Sequence, residues 1–373
     1  MSQTIITSKD LSSQIADFSK EKGCKKFMLV CGNSFKKSFM MKEIENLDLP
    51  FCIFSDFTPN PDYNEVLNGI RLFNAENCDL IIAAGGGSAI DVAKCIKLFC
   101  KSKTDENYLK QDYFDTKVPL LAIPTTAGTG SESTKFAVIY FEGEKQSVHH
   151  ESILPDCAVL AHEFLKSLPV YQKKCTMMDA LCQAVESWWS VRSDDKCKSF
   201  AKEAIELIVK YGDDYIFNNS NDAAKQIMRA SNLAGQAINI TATTAPHAMS
   251  YKLTTLYGLP HGHSVGLALS RVWDYMIDHP ELCTDKRGEK YLNDTFFDIA
   301  AAFSAQNPKE AVGIFRNILE EYELVSPVSN NKKADLEILA SSVNVERLGN
   351  NPVALSYETL YGLYDLILEE GLS

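Results

Sequence analysis

The chain has no excess of positive charge. Lys and Arg number 37 against 49 Asp and Glu, a net charge of −12 over 373 residues. A polyanion needs a basic footprint, so non-specific nucleic-acid binding is excluded as a main role. A small anionic substrate, which needs only a few local cations, is not. No run approaches the ~18 apolar residues of a membrane span. The N-terminal MSQTIITSKDLSSQIADF lacks the basic start and apolar core of a secretory signal. The 11 cysteines are odd in number, with no CxxC pair or zinc-ribbon spacing. They read as free thiols of a reducing cytoplasm, not as a disulfide framework. Internal repeats and low-complexity tracts are also missing.

At roughly 150 residues per domain the length suggests two domains. Short apolar runs at 26–31, 50–55, 79–84 and 118–124 read as buried strands, with further extended segments at 134–141 and 156–161. Amphipathic stretches at 62–76 and 89–101 alternate with them. That alternation is the signature of a parallel sheet covered on both faces. Beyond Pro169 the pattern is helical: 173–190, 194–211, 221–239, 245–257, 263–278, 290–304, 308–323, 333–343 and 355–370. The expected fold is therefore an α/β N-terminal domain (1–165) followed by an all-α C-terminal domain (166–373).

The run DLIIAA leads straight into Gly85, Gly86, Gly87 and Ser88, and a helix follows. Glycines let a backbone approach a ligand closely, and a helix start offers unpaired N–H groups, a geometry that suits a pyrophosphate. Ser88 and Asp91 are spaced to cap that helix. Taken alone, the three glycines also suit a plain turn. A second loop, Pro124 to Ser133, follows the next strand, and seven of its ten residues are glycine or carry a hydroxyl. Ligands of open α/β sheets bind at that strand edge.

In the helical half, Asp179 and Gln183 are four apart and share a helix face. His247 lies downstream, and His261 and His263 follow a break at Tyr257-Gly258-Leu259-Pro260 that can return the chain. His and Asp donors suit Fe²⁺ or Zn²⁺. Each His alone reads equally well as a hydrogen-bonded core residue.

Together these motifs resemble the iron-containing alcohol dehydrogenase family: GGGSAIDVAK (85–94), IPTTAGTGSE (123–132), LPD (154–156), the MDAL…AVES helix (178–187), and His247 with GLPHGH (258–263). The resemblance implies a dehydroquinate synthase-like architecture with the active site in the cleft between the domains. It implies reversible reduction of an aldehyde or ketone by NAD(P)H, with a divalent metal polarising the carbonyl. By motif position Gly86, Gly87 and Ser88 lie on the pyrophosphate, with Gly85 and Asp91 beside them. Thr125, Thr126 and Thr129 line the cofactor, and Lys145 flanks its ribose. Asp179, His247 and His261 fall on three of the family's four metal positions.

Three positions depart from the family pattern. Gln183 stands at the fourth metal position, usually His, and offers only a neutral carbonyl oxygen. Tyr251 replaces a His that relays a proton in many members, which leaves His263 or Tyr251 for that task. Gly32, with Asn33, lacks the carboxylate that holds a ribose diol in NAD-preferring members. Lys36 and Lys37 follow, so NADPH is expected to be accepted. The segments DALCQAVESWWSVRS and HAMSYKLTTLYGLPHGH resemble the phosphonoacetaldehyde reductase branch, which forms 2-hydroxyethylphosphonate in phosphonate biosynthesis. The partner implied is a small anionic aldehyde met by Lys252, Arg229 or Arg192, with no nucleic acid, no membrane and a homodimer as one open assembly. With Asp179 the only charged ligand, a divalent ion leaves the site formally near +1, favourable to an anion. Two alternatives stay open. A dehydroquinate synthase-type cyclase usually reads GGGVxGDxxGF instead of GGGSAIDVAK. A nucleotide-binding protein that lost its metal through Gln183 would show no activity.

Overall fold

Alternate residues of each central strand enter different cores. Met28 and Val30 face one cluster with Ile81, Ala83, Leu120 and Ala122. Phe27, Leu29 and Cys31 face the other with Leu80, Ile82, Leu121 and Ile123. A strand buried on both faces reads as an unbroken apolar run, which is why the period-2 alternation is missing from the sequence.

The computed structural model describes residues 3–8, 10–102, 107–343 and 348–369. The chain divides into two compact units, Met1–Ser167 and Leu168–Ser373. In chain order the first unit contains β1 (Thr4–Thr7), α1 (Leu11–Lys22), β2 (Phe27–Cys31), α2 (Asn33–Lys36), α3 (Phe39–Glu45), β3 (Phe51–Phe54) and α4 (Tyr63–Ala75). It continues through β4 (Leu80–Gly85), α5 (Gly87–Phe99), β5 (Leu120–Pro124), β6 (Phe136–Phe141), β7 (Glu144–His149) and β8 (Cys157–Leu160). Six strands form a parallel sheet in the order β1-β8-β5-β4-β2-β3. From β2 the chain moves outward to β3, then returns to β2's other side as β4. The order reverses there, and the crevice at the carboxyl ends of β2 and β4 is the switch point where open α/β sheets take ligands.

Two strands escaped the periodicity. β1 is a four-residue edge strand. β7 (EKQSVH) is too polar to stand out, and it pairs with β6 as an antiparallel hairpin. Their turn places Glu142 at φ 54° and Gly143 at φ 80°, the left-handed pair that a two-residue hairpin needs.

The second unit is helical: α6 (Val170–Trp189), α7 (Asp195–Ile216), α8 (Asn221–Thr241), α9 (Ala245–Tyr257), α10 (His261–Asp278), α11 (Glu289–Ala302), α12 (Pro308–Glu321), α13 (Lys332–Ser341) and α14 (Tyr357–Glu369). Residue 370, the last of the expected terminal helix, lies outside the described residues. α6 packs against α7, α8, α10 and α11 and is buried almost throughout from Lys173 to Trp189. Among the described residues no helix is long and apolar enough to cross a membrane.

The link from α8 to α9 is held tightly. Asn350 donates to Thr241 O (2.8 Å) and Thr243 O (2.9 Å) and accepts from Ser190 Oγ (2.7 Å). Between those carbonyls Ala242 has φ 59°, ψ −179°, a region that is essentially glycine's and costs a side chain about 1–3 kcal/mol. Its methyl is exposed and packs no core. Ala242→Gly should therefore stabilise the helical unit by ~1 kcal/mol, raising its melting temperature by roughly 2–4 °C. A lower melting temperature in a calorimetric scan would contradict the strain assignment.

Candidate metal and nucleotide sites

Polar side chains on a fully buried helix must find partners. On α6 they include Asp179, Gln183 and Glu186, spaced four and three apart and so on one face. His247 reaches this face from the first turn of α9. Gly258 (φ 67°) then ends α9, and Pro260 precedes α10. The turn brings His261 back, so that its ring lies 5.2 Å from that of His247. Gly262 makes the approach possible: a Cβ there would lie 1.9 Å from Cys175 O and 2.9 Å from Asp179 Cβ.

Ligand atoms of Asp179, His247 and His261 all lie within 4.8 Å of one another. His247 Nε2 is 3.3 Å and His261 Nε2 3.8 Å from Asp179 Oδ1. Donors at ~2.1 Å around a tetrahedral ion sit roughly 3.4 Å apart, so the spacing fits a first-row divalent cation. Asp179 Oδ1 and His247 Nε2 face each other from buried side chains, a pair that an ion between them would bridge. The Gln183 carboxamide hydrogen-bonds the Asp179 carboxylate, in keeping with a supporting role.

Burial works against charge on Asp179. His261, His247 and Gln183 outweigh it and hold the carboxyl below its usual range. Burial also opposes a proton on His247, but Glu186 and Asp179 prevail and raise the imidazole to about 9. Glu186 was not singled out from the sequence. It lies inside the MDAL…AVES motif, seven residues from Asp179, a spacing that returns to the same helix face. It is fully buried and pairs with His247 Nδ1. Its charge corrects the electrostatic expectation: with two buried carboxylates, a divalent ion leaves the site formally neutral, not near +1.

The other expected residues divide. Tyr251 stacks on His261 with ring planes 3° apart and centroids 5.7 Å apart. Lys252, the next residue on α9, is half-buried. His263 is a correction. Two residues from His261 on α10 it faces elsewhere, with Nδ1 on Tyr171 Oη (2.9 Å) and Nε2 on Val325 O (2.9 Å). Burial lowers its pKa. A neutral ring engaged at both nitrogens serves structure, not proton relay. Arg229 is also corrected: it is exposed on α8 and paired with Glu203 of α7. Arg192 is exposed beyond the C-terminal end of α6, and no contact returns it to Asp179.

In the first unit, Cys31 pairs with Ala84 and Gly85 with Pro124. The register lines up Gly32-Asn33, Gly85–Gly87 and Thr125–Thr129 along one sheet edge. A Cβ on Gly86 would lie 3.3 Å from Thr126 Oγ1, and one on Gly87 2.9 Å from Thr129 Cγ2, so the glycine and threonine loops are in contact. Thr125, Thr126 and Thr129 are half-buried in an otherwise buried loop.

Two expectations fail there. Gly86 caps α5, and Ser88 forms no capping box but donates to Pro59 O. Asp91 turns inward, accepting from Ser131 Oγ (2.5 Å) and Val138 N (3.0 Å), and so braces the loop instead of meeting a ligand. Buried Lys94 is pinned by Ser131 Oγ (3.0 Å), Thr134 Oγ1 (2.9 Å) and Phe136 O (2.8 Å). Part of the loop's hydroxyl richness is thus structural. Lys145 lies in β7 opposite Tyr140, near enough to Asp91 to lower that carboxyl against the effect of burial, which raises it overall.

Residues 2–162 match the model of iron-containing alcohol dehydrogenases, and residues 174–367 match that of the family's C-terminal region. The chain belongs to the iron-containing alcohol dehydrogenase family. It is accordingly an oxidoreductase of the aldehyde/alcohol type. A phosphonoacetaldehyde reductase of Streptomyces viridochromogenes is 31% identical over 329 residues, 83% of this chain and 81% of that protein. The sulfoacetaldehyde reductase of Bifidobacterium kashiwanohense, solved in complex with NAD⁺, superposes with a TM-score of 0.87 at 26% identity, covering 98% of this chain and 97% of that one. An iron-containing alcohol dehydrogenase from Thermotoga maritima gives 0.83 at 25% identity, covering 99% and 98%.

Because His247 is raised to about 9 in the metal-free protein, a divalent ion must displace its proton. Zn²⁺ uptake at pH 7 should release about one proton, read by calorimetry in buffers of different ionisation enthalpy. Apparent affinity should weaken by up to ~tenfold per unit as pH falls below 9. Affinity unchanged between pH 9 and 7 would refute the assignment of that proton.

Proposed function

We propose that the protein reduces a short anionic aldehyde to its alcohol with NAD(P)H, phosphonoacetaldehyde to 2-hydroxyethylphosphonate being the leading reaction. The observation that carries the aldehyde chemistry is the convergence of Asp179, His247 and His261. They would hold an Fe²⁺ or Zn²⁺ ion, which when bound polarises a carbonyl as a Lewis acid. The nicotinamide cofactor supplies the hydride. Gly85–Gly87 and the start of α5 would receive its pyrophosphate, with Thr125, Thr126 and Thr129 along it. The complex of the sulfoacetaldehyde reductase with NAD⁺ supports this reading. With His263 committed to Tyr171 and Val325, the Tyr251 hydroxyl is the nearer candidate to pass a solvent proton to the product.

The substrate's charge is supported by the two reductases, both named for aldehydes with an acidic group on the neighbouring carbon. Since Glu186 cancels the excess charge of a divalent ion, the preference must come from another cation. Lys252, one residue from Tyr251, is the one retained. A charge-assisted hydrogen bond is worth ~1.5–3 kcal/mol, or roughly ten- to a hundredfold. Lys252→Ala should lower kcat/KM for phosphonoacetaldehyde by that factor and leave propanal little changed. A wild type that reduces propanal as efficiently as phosphonoacetaldehyde would overturn the substrate assignment.

For the cofactor, Gly32 offers no carboxylate at the end of β2, and the following Lys36 and Lys37 are exposed. NADPH should serve at least comparably to NADH, and Gly32→Asp should shift preference toward NADH by repelling the 2′-phosphate. Steady-state kinetics with both cofactors decide this, and refusal of NADPH by the wild type would refute it.

A further inference from the structure

We infer that Glu186 is a positioning residue for the metal centre, holding His247 with Nδ1–H engaged and the Nε2 lone pair presented to the ion. The inference rests on the reading of Asp179, His247 and His261 as ligands.

The direction of every hydrogen bond in the chain leading to His247 is determined. Trp189 Nε1 can only donate, and does so to Thr244 Oγ1 at 2.9 Å. Thr244 Oγ1 spends its own proton on Glu186 Oε2 at 2.9 Å, and the Thr244 backbone N–H donates to the same oxygen at 2.7 Å. A carboxylate can only accept. Glu186 Oε1 is left for His247 Nδ1, which must donate to it. An imidazole protonated at Nδ1 coordinates through Nε2, and Nε2 is the atom 3.3 Å from Asp179 Oδ1. Trp189, Thr244, Glu186 and His247 are all buried, so water does not compete for these bonds.

Glu186→Gln preserves size but turns one acceptor into an NH₂ group. The two Thr244 donors claim the one remaining oxygen. The amide then faces His247 Nδ1 as a donor, so the tautomer that keeps Nδ1–H and presents the Nε2 lone pair to an ion loses its acceptor. The test is titration of the full-length protein with Co²⁺, followed by visible absorption, which reports ligand field as well as affinity. Glu186→Gln should bind Co²⁺ about 10- to 100-fold more weakly than wild type, with an altered visible band and a wild-type far-ultraviolet circular dichroism spectrum. Thr244→Val, which removes the hydroxyl alone, should weaken binding by a smaller factor, and Thr244→Ser should restore it. A folded Glu186→Gln protein with wild-type affinity and spectrum would overturn the proposal. If that variant fails to fold, the Thr244 pair decides: equal affinity in Val, Ser and wild type overturns it, and loss in Val alone supports it. A wild type that takes up no Co²⁺, or a His261→Ala variant that binds it as well as wild type, overturns the metal reading and this proposal with it.

Discussion

Asp179 and Glu186 are carboxylates taken out of water on one face of a helix buried on nearly every side. Leaving such charges unpaired would cost several kcal/mol each, and much of the helical unit is arranged to meet that demand. His247 stands between the two acids. Thr244, at the start of α9, gives Glu186 two donors, and Trp189 completes the chain. Asn350 clamps the preceding loop, and Ala242 bears its strain. Gly262 lets α10 come close enough for His261 to join Asp179. The convergence of Asp179, His247 and His261 and the packing of α6, α9 and α10 are thus one arrangement.

The first unit meets a different constraint. The central strands of a parallel sheet buried on both faces offer their backbone to solvent at their ends, and the reversal of strand order between β2 and β4 opens a crevice at one of them. The short loops after β2, β4 and β5 meet along that edge. Inside the edge, Asp91 and Lys94 tie the hydroxyl-rich loop to α5, so the half-buried threonines are carried on a braced frame.

Charge is where the two levels of reading diverge most. Counted from the sequence motifs, Asp179 is the only acid at the metal position. Counted in space, Glu186 adds a second, and an ion held there would carry no excess positive charge. Lys252 remains on the helix of His247. Arg229, equally basic in sequence, spends its charge on Glu203.

Local patterning in the sequence determined the two fold classes, most strand and helix positions and the Gly258–Pro260 break, each through periodicity or turn chemistry over a few neighbouring residues. The choice of Asp179, His247 and His261 among the polar residues of the helical half came from the family resemblance. What needed the tertiary structure were contacts between distant segments. β7 became visible as a strand only through pairing with β6. Asp91 and Ser88 were drawn to partners outside their helix. His263, two residues from His261, points to Val325, because a two-residue step on a helix turns a side chain to the other side. Glu186 lies inside the MDAL…AVES motif with no partner marked in the sequence, and the donors it accepts from sit on Thr244, 58 positions away. Spacing along a helix says which residues share a face. Only packing decides which face is buried and what meets it there.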